Sequence, residues 1–194
     1  MKTNQLLVVF SVLIFSLSTF CQEVTVDKPS PKLKFLLGGA LEFGGDSVAE
    51  IFFEDGSDQS VNAGQGGTIF AGGELFFNEN QKFSLRATVG FKYLTTKATN
   101  YNITLTRIPI ELSANFYTKS NIRFGAGFSN HQAITFNSDG LIGNEKFSGG
   151  FGPKFEIAWK WIGLSYTIMD YKDSFNNSYS ANAFGITLSS SNLF

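Results

Sequence analysis

The sequence predicts an all-β fold, an eight-stranded antiparallel up-and-down transmembrane β-barrel, on three observations. Eight segments alternate apolar and polar residues with a period of two, the pattern of strands that differ between their two faces. The links between them run long, short, long, short, as in membrane barrels with tight turns at one rim and loops at the other. With each strand's apolar side taken as one common face, the strand charges fall on the opposite face. Composition points the same way. The 194 residues include 22 Phe and 20 Gly, and charged residues make up 16%, below the ~25% usual in soluble proteins. A formal net charge of -1 offers no basic field for nucleic acid.

Taken in order, residues 1–21 read as a secretory signal peptide. Lys2 gives a positive start, and "LLVVFSVLIFSL" (6–17) gives an apolar core too short for the ~20 residues of a membrane helix. Thr19 and Cys21 suit a cleavage site before Gln22; the rival reading, lipidation of Cys21, is disfavoured by the bulky Phe20 before it. Cleavage after Cys21 leaves a mature chain without cysteine, which removes disulfides and thiol chemistry. Residues 22–32, polar with Pro29 and Pro31, form a short periplasmic lead-in, and 33–194 form the barrel.

The eight strands are "LKFLLGGALEFG" (33–44), "TIFAGGELFF" (68–77), "FSLRATVGFKY" (83–93), "TRIPIELSANFY" (106–117), "IRFGAGF" (122–128), "FGPKFEIAW" (151–159), "IGLSYTI" (162–168) and "FGITL" (184–188). Long links are expected over 46–65, around "TTKATNYN" (95–102), over 130–147 and over "DYKDSFNNSYS" (170–180); short ones over 78–82, 118–121 and Lys160–Trp161. The charges placed in the lumen are Lys34, Glu42, Glu74, Arg86, Lys92, Arg107, Glu111, Arg123, Lys154, Glu156 and Lys160. Seven are basic and four acidic, and Glu111 is expected to pair with Arg86 or Arg123 on neighbouring strands. A charge facing lipid costs ~2–4 kcal/mol at mid-membrane, so the bilayer itself demands this segregation. Glycines beside the long charged side chains suit a narrow barrel whose inside is filled by side chains and does not conduct. Pro109 lacks a ladder donor, so a bulge or interrupted ladder is expected near the outer end of the fourth strand.

The "RIPIEL" pair, the following "IRFGAGF" and the terminal aromatic Phe194 resemble the PorT-like outer-membrane β-barrel domain over roughly 32–194. The resemblance implies a small Gram-negative outer-membrane protein with no catalytic residues to carry over. It also implies contact with outer-membrane lipid and recognition of Phe194, in phase with Phe184, Ile186 and Leu188, by the barrel assembly machinery.

Candidate chemistry is sparse, and no catalytic residue, cofactor or metal site is assigned. His131 is the one histidine; its spacing from Ser129 resembles outer-membrane lipid A deacylases, so a lipid-modifying enzyme is one alternative. A secreted soluble barrel binding an apolar ligand is another. Glu54, Asp55 and Asp58 lack the ligand spacing of a calcium loop, and "GQGGTIFAGG" lacks the Lys-Ser/Thr of a phosphate loop. The leading expectation is a non-enzymatic barrel with a structural or interaction role through its extracellular loops. In the first loop the apolar triplet Ile51, Phe52 and Phe53 is either a strand extension or a contact for a protein partner, with the extension favoured.

Overall fold

The computed structural model describes residues 31–52, 58–77, 82–98, 101–140 and 143–190. The expected signal peptide, most of the lead-in, and Phe53 and Phe194 lie outside them. Thirteen strands follow one another: β1 (Lys32–Phe43), β2 (Ser47–Phe52), β3 (Asp58–Asn62), β4 (Gly66–Phe76), β5 (Phe83–Ala98), β6 (Tyr101–Tyr117), β7 (Ile122–Asn137), β8 (Glu145–Gly149), β9 (Phe151–Trp159), β10 (Ile162–Thr167), β11 (Asp170–Lys172), β12 (Ser178–Ser180) and β13 (Ala183–Ser190). Eight of them, β1, β4, β5, β6, β7, β9, β10 and β13, pair antiparallel in that order, and β13 returns to β1 to close the wall. Closure leaves no unpaired strand edge in the wall, which a bilayer requires.

The outer face follows the expected registers. Leu33, Phe35, Leu37, Leu41 and Phe43 of β1 all point out, Leu33 with 74% exposure, as do Phe83, Leu85, Val89 and Phe91 of β5. Inward positions are tight where glycine stands. A Cβ on Gly72 would meet the Ala87 carbonyl oxygen at 2.0 Å, and one on Gly127 the Leu112 carbonyl oxygen at 2.0 Å.

The strands outrun the expected boundaries at the long-loop end. Strand reaches into "TTKATNYN" from both sides: β5 runs to Ala98 and β6 starts at Tyr101. The segment read as the start of a loop at Asn130 is strand through Asn137. β8 adds to the upper part of β7, and β11 and β12 stack beside it. The first long link folds into a separate hairpin, with β2 paired to β3. The wall therefore stands well above the lengths that the lipid-facing pattern required.

Around Pro109 the wall is irregular on both sides. The β5–β6 ladder is interrupted between Val89–Ile110 and Lys92–Arg107 without a change of register, which spares the missing donor. On the other side β6 and β7 shift register between Thr106 and Ile108, where Ala133 takes a φ of 50°. That bulge moves Ile134 and Phe136 of β7 onto the inner face already carrying Ser129 and His131.

Candidate functional site: a charged lumen beneath a hairpin lid

Inside the wall, each of the four expected lumen glutamates holds one cation. Glu74 and Arg86 are direct cross-strand partners on β4 and β5, 3.1 Å apart. Glu156 takes Arg123 at 2.5 Å, two positions off register between β9 and β7. The other two pairs reach across an intervening strand. Glu42 of β1 meets Lys92 of β5 at 2.9 Å over Thr68 of β4, whose hydroxyl donates to Glu42. Glu111 of β6 meets Lys154 of β9 at 2.6 Å over Ser129 of β7, whose hydroxyl donates to Glu111. Small hydroxyl residues on the middle strand make this reach possible in so narrow a barrel. Glu111 is thus bound to Lys154, not to Arg86 or Arg123 as expected from strand order.

Extra donors complete the acids. Ser84 and Tyr117 hydroxyls donate to Glu74 at 2.6 and 2.5 Å, and Thr187 donates to Glu156 at 2.8 Å. Fully served charges of this kind are stable only as pairs, because either partner alone would be a buried, uncompensated ion. Phe70 shares the lumen, its ring filling the space that Gly38 leaves.

The three remaining cations are spread along the axis. Lys34 lies near the short-turn mouth with its ammonium 4.9 Å from the Phe76 ring centre. Lys160 sits in the turn at the rim, exposed and with positive φ, its ammonium 4.7 Å from the Trp159 ring centre. Arg107, fully buried, faces the opposite end. There the chain between β3 and β4 descends into the barrel, and Arg107 donates to the carbonyl oxygens of Ala63 and Gln65. Lys92 donates to the Gly64 carbonyl oxygen at 2.6 Å, and the Tyr171 hydroxyl lies 3.5 Å from Arg107. Three consecutive backbone carbonyls, capped by two lumen cations, anchor the β2–β3 hairpin as a lid.

Above that layer the interior changes character. Val61 and Ala63 of the lid segment pack with Ile103 and Leu105 of β6, Ile134 and Phe136 of β7, Met169, Tyr171 and Ala181 in one apolar cluster, with Val48 and Ala49 against it. At the long-loop end an apolar cluster lies above the charged layer. Sequence reasoning missed this lid because its ligands are main-chain carbonyls, which carry no side-chain signature; Asn62 and Gly64 in "NAGQ" signal a turn but not what it binds.

The other candidates are placed as follows. Ser129 and His131 share the inner face of β7, but Ser129 donates to Glu111 at 3.3 Å, and His131 Nδ1 shares a hydrogen bond of 2.5 Å with the Tyr171 hydroxyl. These hydrogen bonds lead to different partners, and both side chains are buried away from the lipid face. Ile51 and Phe52 belong to β2 of the hairpin, paired with Gln59 and Asp58. Glu54 and Asp55 lie outside the described residues. Beyond the wall, the β11–β12 turn is organised by Asp173, which accepts from the backbone N–H groups of Phe175 and Asn177 and from the Asn177 amide. Desolvation works against this carboxylate, but the Asn177 and Phe175 bonds outweigh it and hold Asp173 below the ordinary aspartate value.

A lipid-facing apolar belt, a paired polar lumen and a wall without edges are the features of a protein that crosses a membrane with strands. No curated protein matches the chain. Residues 12–191 match the outer membrane protein beta-barrel domain, and the chain belongs to that family.

Proposed function

We propose that this outer-membrane barrel is non-conducting and non-enzymatic, and that it serves as a structural or interaction protein through its long-loop end. The observation that carries the reading is the set of four ion pairs filling the lumen beneath the carbonyl-anchored lid. A continuous water path would have to break buried pairs and displace the lid together, and each broken buried pair costs roughly 3–5 kcal/mol. Against a deacylase, Ser129 is engaged by Glu111 and His131 by Tyr171, and neither faces lipid. The "RIPIEL" and "IRFGAGF" segments support the PorT-like subtype, and the apolar run at 6–17 supports export of a Gram-negative envelope protein by a cleaved signal. In this reading the short turns face the periplasm, Phe194 is the handle for the assembly machinery, and a protein partner docks on the outer loops.

Planar-bilayer recording of the purified, folded protein tests the closed lumen. Seals free of stable stepwise conductance are expected across the working voltage range. Reproducible large openings from the monomer would overturn it.

A further inference from the structure

We propose that His131 is an acid-operated latch on the lid: once its ring takes up a proton, the bond chain that ties Arg107 to β7 breaks and the β2–β3 hairpin swings off the barrel. The hairpin is joined so that it can move as a unit. Among the described residues, β2 and β3 pair only with each other and share no ladder with the wall. Glycines of positive φ stand at both roots, Gly44 at 123° and Gly45 at 86° before β2, and Gly66 at 147° at the start of β4. Only glycine takes such backbone angles freely, and a few residues of this kind are enough to hinge an element.

Held down, the lid rests on Arg107. This guanidinium is fully buried, forms no ion pair with a carboxylate among the described residues, and leaves its Nε without a partner. It donates to the Ala63 and Gln65 carbonyl oxygens and, at 3.5 Å, to the Tyr171 hydroxyl. Arginine only donates, so Tyr171 accepts there and gives its own proton to His131 Nδ1 at 2.5 Å. The ring is then neutral, with its proton on Nε2. A second ring proton would sit on Nδ1 and point at the same hydroxyl oxygen. The Tyr171 proton would have to turn toward the apolar cluster, whose Ile103, Leu105, Ile134 and Phe136 side chains accept nothing.

Charge acts in the same direction. The ionised groups around the ring are Glu42 on β1, Lys92 on β5, Arg107 and Glu111 on β6, and Lys154 on β9. Lys92 is paired with Glu42, and Lys154 with Glu111, which leaves Arg107 uncompensated. An imidazolium would add a second unpaired cation to this buried layer, and water can solvate both once the lid carbonyls leave Arg107. Because the released form alone accommodates the proton, release gains about tenfold for each pH unit below ~6.5, the ordinary histidine value, and the lid stays down above it.

Two backbone N–H groups report the lid's position. Asp46 donates to the Ser180 carbonyl oxygen at 2.7 Å, and Gly64 donates to the Gly44 carbonyl oxygen at 3.1 Å across the hinge. The experiment follows their amide exchange in nanodiscs from about pH 7.5 to about pH 4.5, each rate divided by the intrinsic rate at that pH. In the same untagged protein, isotope-labelled histidine gives one ring signal, because the sequence has a single histidine. Protection at Asp46 and Gly64 is expected to fall about thirty- to hundredfold as the ring signal changes from neutral to charged, while the β6 amides in the belt keep theirs. His131→Gln gives Tyr171 an acceptor that does not titrate; it is expected to hold the neutral-pH protection and to lose the acid response. Three results would each overturn the latch: protection that stays flat across the range in the parent protein, a ring that becomes charged while both amides stay protected, or an equal acid response in His131→Gln. The last would move the effect to the carboxylates of Glu42, Glu111 or Asp46. The parent protein alone gives the first two results, so the test stands even if the variant does not fold. No readout depends on conduction or on a partner, so the latch and the proposed function can fail separately.

Discussion

The two halves of β6 show how one strand serves two solvents. Its inner face runs Ile103, Leu105, Arg107, Pro109, Glu111, Ser113, Asn115, and its outer face runs Asn102, Thr104, Thr106, Ile108, Ile110, Leu112. Below Arg107 the polar residues point inward and the apolar ones outward; above it the assignment is reversed, with no change in which face points in. β5 turns over at the same height, where Lys92 is inward and Leu94 above it packs against the apolar cluster. The belt is built for hydrocarbon outside, and the top is built like a soluble protein, with water outside and a core within. Arg107 and Lys92 mark the boundary, and it is there that the lid carbonyls are bound. Along β6, alternation fixes which residues share a face. The surrounding solvent decides what that face must be made of.

The largest effect is expected inside the belt. Glu74→Ala leaves Arg86 buried with only Ser189 as partner and strands the Ser84 and Tyr117 hydroxyls. A loss of roughly 3–5 kcal/mol follows for a buried ion left alone. Guanidinium titration of the heat-modifiable folded band measures it. The double variant Glu74→Leu with Arg86→Leu is expected to recover most of that loss, because an apolar pair can fill the same space. If the double variant is as unstable as the single one, the belt interior needs charge as such, and the contrast with the apolar top is deeper than a choice of packing.

A smaller effect separates the outer faces. Ile110→Lys puts a charge among the lipid-facing side chains and is expected to cost ~2–4 kcal/mol near mid-membrane. Thr104→Lys is on the same outer face of the same strand but above the turnover, and is expected to stay within ~0.5 kcal/mol of the parent. Equal costs at the two positions would erase the boundary drawn at Arg107.

The sequence made the belt legible and the top illegible for the same reason. In β1, β5 and β9 the apolar phase is lipid-facing, so period two gave both the strands and their inner charges. Thr96 of β5 and Ile103 and Leu105 of β6 point inward, the reverse of the apolar phase in the belt, and "TTKATNYN" (95–102) read beside the lipid-facing strands looked like a loop. On β7 the bulge at Ala133 breaks the phase outright, so Ile134 and Phe136 could not be aligned with His131 by counting. Strand charges could be assigned a face because a charge has one tolerable side in a bilayer. Their partners were not, since Glu42–Lys92 and Glu111–Lys154 skip a strand and depend on barrel stagger. Lys160 followed the alternation of β9 by one residue too many, into the turn.

The smallest effect is local to the top and depends on pH. Asp173 gathers two backbone N–H groups, the Asn177 amide and the Tyr179 hydroxyl, so the turn between β11 and β12 is ordered around a charged carboxylate. Its pKa is below the ordinary value in the folded turn, so the stabilisation is present at pH above the ordinary aspartate range and disappears as pH falls through the lowered value. Amide exchange at Phe175 and Asn177 is therefore expected to be slow at neutral pH relative to the intrinsic rate and to lose its protection in acid, while the β6 amides in the belt stay protected throughout. Asp173→Ala should show the unprotected behaviour at every pH and leave the folded band where it was. If protection in the turn persists in Asp173→Ala, strand pairing with β8 holds the turn instead, and the top is more cooperative with the wall than the division at Arg107 implies.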